Sequence, residues 1–131
     1  MKESNQVFKT SAGVGKHKVD LTLTLIGHDV VAIISGGNKP HVGAVAVAIP
    51  RPSLKDASKI SSTSSVFTLV GHKDDEVAKM ASEALASKLN KVAVVSAGIH
   101  TDNASESDIR KLVKNAESAT EHAIKIFLSQ R

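Results

Sequence analysis

Three histidines lie in polar turns beside glycine, where an imidazole could act as an acid, a base, a metal ligand or a partner of an anion. They are His41, His72 and His100, within Lys-Pro-His-Val-Gly, Gly-His-Lys-Asp-Asp and Gly-Ile-His-Thr-Asp-Asn. His72 and His100 each follow a predicted strand and precede a predicted helix, so we expect both at one sheet edge, beside two helix N-termini. Together with Lys39 or Lys73, these groups would form an anion site.

Carboxylates near the histidines allow a second interpretation, because imidazole and carboxylate ligands suit zinc or iron. Such a metal site would use His41, His72 and His100, with Asp74 or Asp102. Their spacing matches no local metal motif such as His-Glu-x-x-His, and His72 and His100 could also be plain capping-region residues. A serine hydrolase is not indicated, because the sequence has no Gly-x-Ser-x-Gly elbow.

A glycine-rich stretch, residues 35–43, separates two apolar runs that are too short for helices. Its adjacent glycines accept positive φ, Pro40 restricts the residue before it, and exposed amides beside one lysine suit phosphate or carboxylate. The candidate anion contacts in this stretch are Gly36, Gly37, Asn38, Lys39 and His41. The alternative is a hairpin loop whose lysine and histidine are simply solvated.

The hydrophobic pattern predicts five strands, a helix, a strand and a last helix. Alternation in residues 16–26 indicates a half-buried strand, whereas residues 30–34 and 92–97 are expected to be strands buried on both faces. The serine-rich residues 53–65 are expected to form a surface excursion or a lid. Strands first and helices late indicate one α+β domain over residues 1–131. We expect a mostly antiparallel sheet of about six strands in the order βββββαβα, with one parallel βαβ step near its end.

Composition and charge exclude several kinds of site and partner. The sequence has no cysteine, which excludes disulfides, thiolate zinc sites and cysteine nucleophiles. The net charge of +4 allows a nucleic-acid partner, but the lysines are scattered and the only aromatic residues are three phenylalanines, so we expect no nucleic-acid binding. No apolar run approaches the roughly 18 residues that span a bilayer, so we expect no membrane association and a cytoplasmic protein.

Three segments, taken in order and separation, resemble the LpdD-like prenylated-flavin chaperone family, the small D subunits of hydroxyarylic-acid decarboxylase systems. The segments are Ser-Gly-Gly-Asn-Lys-Pro-His-Val-Gly-Ala-Val-Ala, Val-Gly-His-Lys-Asp-Asp and Ala-Gly-Ile-His-Thr-Asp-Asn-Ala. The resemblance covers nearly the whole chain and implies a fold similar to proteasome-assembly chaperones, a sheet with helices that usually pairs into dimers. Asn38 stands where this family is expected to prefer aspartate.

The resemblance implies a non-catalytic carrier that binds prenylated flavin mononucleotide (prenylated FMN) transiently. The carrier would take the cofactor from a flavin prenyltransferase and deliver it to a decarboxylase apoenzyme. The anion site inferred above would then hold the flavin phosphate. Its expected residues are Gly36, Gly37, Asn38, Lys39, His41, His72, Lys73, His100, Asp102 and Asn103. No metal is expected, and if one were bound the ligands would be His41, His72 and His100.

The flavin ring is harder to place, because the sequence has neither tryptophan nor tyrosine to stack on it. Aliphatic side chains such as Val42 or Ile99, or a partner subunit, would have to contact the ring. We also expect a homodimer, since the small side chains of Ala44, Ala46 and Ala48 allow close approach of a helix or a second subunit. The alternatives are a small metal- or histidine-dependent enzyme and an assembly subunit without a ligand.

Overall fold

In the computed structural model, which describes residues 6–69 and 73–130, strands come first and helices late. The elements are β1 (Val7–Ala12), a short 3-10 helix (Gly15–His17), β2 (Val19–Ile26), β3 (Asp29–Gly37), β4 (Ala44–Pro52), β5 (Ile60–Thr68), α1 (Asp74–Leu89), β6 (Ala93–His100) and α2 (Glu106–Ser129). The predicted α+β class and the order βββββαβα are confirmed. No helix in the described part of the chain is both long and apolar enough to cross a membrane.

The last strand is inserted into the middle of a single sheet with the order β1-β2-β3-β6-β4-β5. β6 is parallel to β3 and antiparallel to β4, and the remaining neighbours are antiparallel. The hairpin interpretation of the glycine-rich stretch is therefore wrong, because β6 separates the two strands that the stretch connects. Residues 38–43, which we call the strap, instead cross the carboxyl end of β6. The expected βαβ step also differs, since β4 lies between β5 and β6.

Both helices pack on one face of the sheet. α1 covers β4, β5 and β6, whereas α2 covers β1 and β2. On the covered face Leu21, Ile34 and Val95 are buried, and Ala44, Ala46 and Ala48 are fully buried where α1 approaches β4. The small-residue face of β4 is thus occupied by a helix of the same chain.

The other face of the sheet is not covered by any described element. Ile33 of β3 and Ile49 of β4 are 55% and 56% exposed on it, and Phe67 of β5 is 78% exposed. The expectation that residues 30–34 and 92–97 are buried on both faces is therefore wrong for this chain taken alone. These strands are central in the sheet, but only one of their two faces is covered.

The serine-rich segment differs from expectation as well. Residues 60–65 belong to β5, so the surface excursion is limited to the connection before Ile60. The Ser62 hydroxyl donates to the Glu83 backbone carbonyl at 3.0 Å, and the Ser64 hydroxyl donates to the Glu83 carboxylate at 2.6 Å. Serine fits this strand because α1 supplies hydrogen-bond acceptors for the side chains that face it.

Candidate functional site

A cavity of about 490 Å³ lies at the carboxyl end of β6, between the first turns of α1 and α2. Its volume falls within the range of roughly 300–1,000 Å³ that is usual for small-molecule sites. The wall formed by the two helices and β6 is aliphatic, with Val77, Ile99, Ile109, Leu112 and Val113. Polar side chains line the rest of it: His41, Lys73, Asp74, His100, Thr101 and Asn103. The cavity can therefore accept a ligand that is apolar in one part and polar in another.

Glycines allow the strap to lie close to its neighbours. A Cβ atom at Gly98 would overlap the backbone carbonyl of His41, one at Gly37 would overlap the backbone of His100, and one at Gly43 would overlap the Asp74 carboxylate. The Lys39 amide donates to the His100 carbonyl at 3.1 Å, and the Gly43 amide donates to the Ala97 carbonyl at 2.9 Å. These two amides thus bind β6, in contrast to the expected row of exposed amides around an anion.

Asp102 joins the strap to the connection after β6. Its Oδ2 lies 3.3 Å from Lys39 Nζ, its Oδ1 lies 2.9 Å from His100 Nε2, and its backbone amide donates to Asn38 Oδ1 at 3.2 Å. The Asn38 amide also donates to Asp102 Oδ2 at 3.4 Å. The hydrogen bond from His100, followed by that from Lys39, lowers the pKa of the Asp102 carboxyl. Four of the predicted site residues, Asn38, Lys39, His100 and Asp102, therefore form one network. In this network the Asp102 carboxylate pairs with the charged Lys39 ammonium group.

Asp74 and His41 form a second histidine–carboxylate pair, which lies in the cavity wall. The Asp74 side chain is only 4% exposed; its Oδ1 accepts the Ile99 amide at 3.0 Å, and its Oδ2 lies 3.1 Å from His41 Nε2. Burial raises the pKa of Asp74, against the lowering effects of the Ile99 amide and His41. Sequence reasoning gave Asp74 only as a possible metal ligand, because an acid in the first turn of a helix is typical of exposed helix ends.

Two residues that line the cavity have left-handed backbone conformations. Lys73, directly before α1, has φ of 72°, and Asn103 has φ of 56°. Asparagine tolerates this region, whereas for lysine it costs on the order of 1–2 kcal/mol. Lys73 Nζ lies 3.6 Å from the exposed Glu76 carboxylate, a contact of little strength in water. Strained backbone conformations of this kind cluster at functional sites, so Lys73 is a candidate contact for a ligand in the cavity.

Most of the predicted site residues lie close together. His41, Lys73, His100 and Asn103 line the cavity, and Asn38, Lys39 and Asp102 form the adjoining network. Gly36 and Gly37 lie at the end of β3, paired with Ile99 and His100 of β6. His72 lies outside the described residues. The aliphatic wall was not predicted apart from Ile99, although the helical spacing of Ile109, Leu112 and Val113 was visible in the sequence.

The metal interpretation gains no support from the described residues. Among them, no three or more His, Asp or Glu side chains are grouped so as to hold a metal ion. The rings of His41 and His100 are 6.3 Å apart, and each bonds its own carboxylate. The geometry therefore indicates two separate histidine–carboxylate pairs beside the cavity.

A flavin fits these residues in two respects. The aliphatic wall suits an apolar ring system, and Lys73 and Asn103 provide donors for a phosphate.

Comparison with solved structures confirms the expected fold. The chain is similar to a protein in the crystal structure of a chaperone complex for yeast 20S proteasome assembly, with a TM-score of 0.54 and 16% sequence identity. The similarity covers 94% of this chain and 96% of that one. At this identity it bears on the fold alone.

No curated protein sequence matches the chain. A family model described as the prenylated flavin chaperone LpdD-like domain matches residues 13–128, which include the strap, the cavity and both histidine–carboxylate pairs. The protein therefore belongs to the family of LpdD-like prenylated flavin chaperones.

Proposed function

We propose that the protein is a non-catalytic carrier that binds prenylated FMN in the cavity and delivers it to a non-oxidative hydroxyarylic-acid decarboxylase. The observation that carries this proposal is the cavity itself, which combines an aliphatic wall with a cationic, polar edge in a chain of the prenylated flavin chaperone family. The carrier would receive the cofactor from a flavin prenyltransferase and would bind both enzymes in turn. Binding is transient, since the cofactor has to be passed on.

The aliphatic wall would contact the prenylated ring system. Val77, Leu112 and Val113 project from the two helices, and Ile99 closes the wall from β6. Contact of aliphatic side chains with a ring removes apolar surface from water without aromatic stacking. Such contact would serve in place of tryptophan and tyrosine, which the chain lacks.

The phosphate would lie at the polar edge of the cavity. Of the described lysines Lys73 lines the cavity, and Asn103 and His100 provide further donors beside it. Lys39 is 3.3 Å from Asp102 and outside the cavity lining, so we assign it to the network that holds the strap. Gly36, Gly37, Asn38 and Asp102 would act in the same indirect way, by fixing the position of His41 and His100.

A homodimer would form through the open face of the sheet. The half of this face formed by β3, β6, β4 and β5 carries aliphatic and aromatic side chains, including Ile33, Val47, Ile49 and Phe67. The half formed by β1 and β2 carries the polar side chains Lys9, Ser11, Asp20, Thr22 and Thr24, with Val7 and Ile26 exposed at one end. Pairing of the apolar halves would cover a surface that monomeric proteins rarely leave open.

Co-expression with a flavin prenyltransferase, followed by native mass spectrometry, tests the carrier function. We expect wild-type protein to retain one prenylated FMN per chain. Val113→Phe should retain less, because the larger side chain takes up space against the wall that the ring would contact, and Lys73→Ala should retain less because the phosphate loses its cation. Lys125→Ala, on the exposed side of α2, is the matched control. Equal cofactor retention by all four proteins would contradict the cavity as the site.

A further inference from the structure

Asp74 connects three segments beside the cavity. It belongs to α1, its Oδ1 accepts the Ile99 amide of β6, and its Oδ2 contacts His41 of the strap. Gly43, at the other end of the strap, packs against the same carboxyl group, since a Cβ there would overlap it. The position of the strap relative to α1 and β6 therefore depends on this one side chain.

The ring of His41 lies between two hydrogen-bond acceptors. Nδ1 is 3.1 Å from the Lys39 carbonyl oxygen, and Nε2 is 3.1 Å from Asp74 Oδ2. A carbonyl oxygen only accepts, so Nδ1 must carry a proton to bond it. The contact between Nε2 and Oδ2 then needs a second proton, on either of its two atoms. With only one proton on the pair, the ring can satisfy only one of the two acceptors.

We propose that Asp74 and His41 form a clasp that holds the strap against the cavity only while the two side chains share this second proton. The consequence for the ligand rests on the proposed function, because it takes the cavity as the cofactor site. Loss of the proton removes one hydrogen bond from the strap, so the strap opens more often and the cofactor leaves faster. The carrier thus retains its cofactor at lower pH and exchanges it more readily as the pH rises.

The charged groups around the clasp come from each element packed against it. Among the described residues they are Lys39 in the strap, His100 at the end of β6, Asp102 after it, and Lys73 and Asp75 at the start of α1. Lys39 and His100 are both engaged by Asp102, which limits their effect on the clasp. Where α2 lines the cavity, its side chains are apolar. Burial of Asp74, together with the negative charge of Asp75, favours retention of the shared proton.

Asp74→Asn is the diagnostic variant. The asparagine amide can donate to a neutral Nε2 while its oxygen still accepts the Ile99 amide, so this clasp closes without a second proton. The measurement is amide hydrogen exchange of the ligand-free full chain by NMR, at the Lys39 and Gly43 amides that bond β6. In the wild type we expect protection to fall about tenfold between about pH 6 and about pH 8.5, after correction for intrinsic exchange. In Asp74→Asn it should stay constant.

Glu76→Gln is the matched control, because it changes an exposed carboxylate in the first turn of α1 and leaves the clasp intact. It should keep the pH dependence of the wild type. The same pH dependence in the wild type and in Asp74→Asn would overturn the clasp. A second readout needs no variant: the nitrogen-15 shifts of His41 and the carbon-13 shift of the Asp74 carboxyl should together show that the pair loses one proton as the pH rises. A pair that keeps the same number of protons over the whole range would also overturn the clasp.

Measurements of FMN release test the proposed function separately from the clasp. Release of FMN from the wild type should accelerate over the same pH range, and release from Asp74→Asn should not. The exchange measurements use protein without ligand. A strap that responds to pH in ligand-free protein, together with FMN release that does not change with pH, would therefore support the clasp and contradict only the assignment of the cavity as the flavin site.

Discussion

Gly98 lies directly against the backbone of His41, so close that a Cβ atom on Gly98 would overlap the His41 carbonyl group. The strap can cross β6 at this point only because the strand has no side chain there. This contact sets the position of His41 at the cavity. It also explains why a glycine interrupts a strand whose other residues have side chains that pack.

Gly98→Ala should therefore displace the strap. We expect it to lower the free energy of unfolding by about 1–3 kcal/mol, because the backbone of His41 has to move to accommodate the methyl group. Cofactor retention should fall as well, since His41 leaves the cavity. Denaturant unfolding measures the first effect and native mass spectrometry the second. Ser11→Thr adds a methyl group at an exposed position of the edge strand β1, outside the apolar half of the open face, and should change stability by no more than about 0.5 kcal/mol.

The backbone of Lys73 permits a test that separates its conformation from its charge. Lys73→Gly should stabilise the fold relative to Lys73→Ala by on the order of 1 kcal/mol, because glycine adopts a φ of 72° without steric cost. Both variants lose the ammonium group and should bind FMN more weakly than the wild type, to the same extent. Thermal unfolding and a flavin titration give the two quantities. A Lys73→Gly variant with full affinity would show that the lysine serves no phosphate.

Asp108 gives a pH dependence of stability at the start of α2. It accepts the Ser105 amide at 3.0 Å and lies 2.8 Å from His17 Nε2, and the Ser105 hydroxyl accepts the Asp108 amide in return. The Ser105 amide, followed by His17, lowers the pKa of Asp108. A lowered pKa stabilises the folded state above the ordinary carboxyl value, and this contribution is lost as the pH falls toward the folded-state pKa.

Asp108→Asn should therefore lower the melting temperature at neutral pH, and the difference from the wild type should shrink below about pH 4. Melting curves from pH 7 downward measure it. Glu106→Gln, in the same first turn but 94% exposed at its side chain, is the control and should have little effect. A difference that grows as the pH falls would contradict this assignment.

Periodicity in the sequence was sufficient to predict the elements and the class of the fold. Leu21 and Leu23 alternate with threonines in β2, and the alanines of β4 mark a close contact, which α1 makes. The order of the strands in the sheet could not be predicted from this periodicity. The insertion of β6 between β3 and β4 depends on pairing between segments far apart in the chain, for which local pattern carries no signal.

For the same reason, only part of the site could be predicted from the sequence. Polar residues at the carboxyl ends of the strands could be expected to converge, and His41 and His100 do lie beside one cavity. The roles of Lys39 and Asp74 could not be inferred. The charge of Lys39 is engaged by Asp102, which follows a strand far along the chain, and the burial of Asp74 depends on Gly43 across the strap. Both depend on tertiary contacts that no sequence spacing specifies.

The open face of the sheet should form the interface of a homodimer, which one substitution that introduces a charge should dissociate. Ile33 and Thr22 are register partners on neighbouring strands, with Ile33 in the apolar half of the face and Thr22 in the polar half. Burying an isoleucine side chain contributes about 1.5–3 kcal/mol. In a two-fold interface each substitution acts twice, so Ile33→Lys should weaken association by about 100-fold or more. Sedimentation at micromolar concentration should show a dimer for the wild type and for Thr22→Lys, and a monomer for Ile33→Lys. A monomeric wild type, or an Ile33→Lys variant that still forms the dimer, would exclude this half of the sheet as the interface.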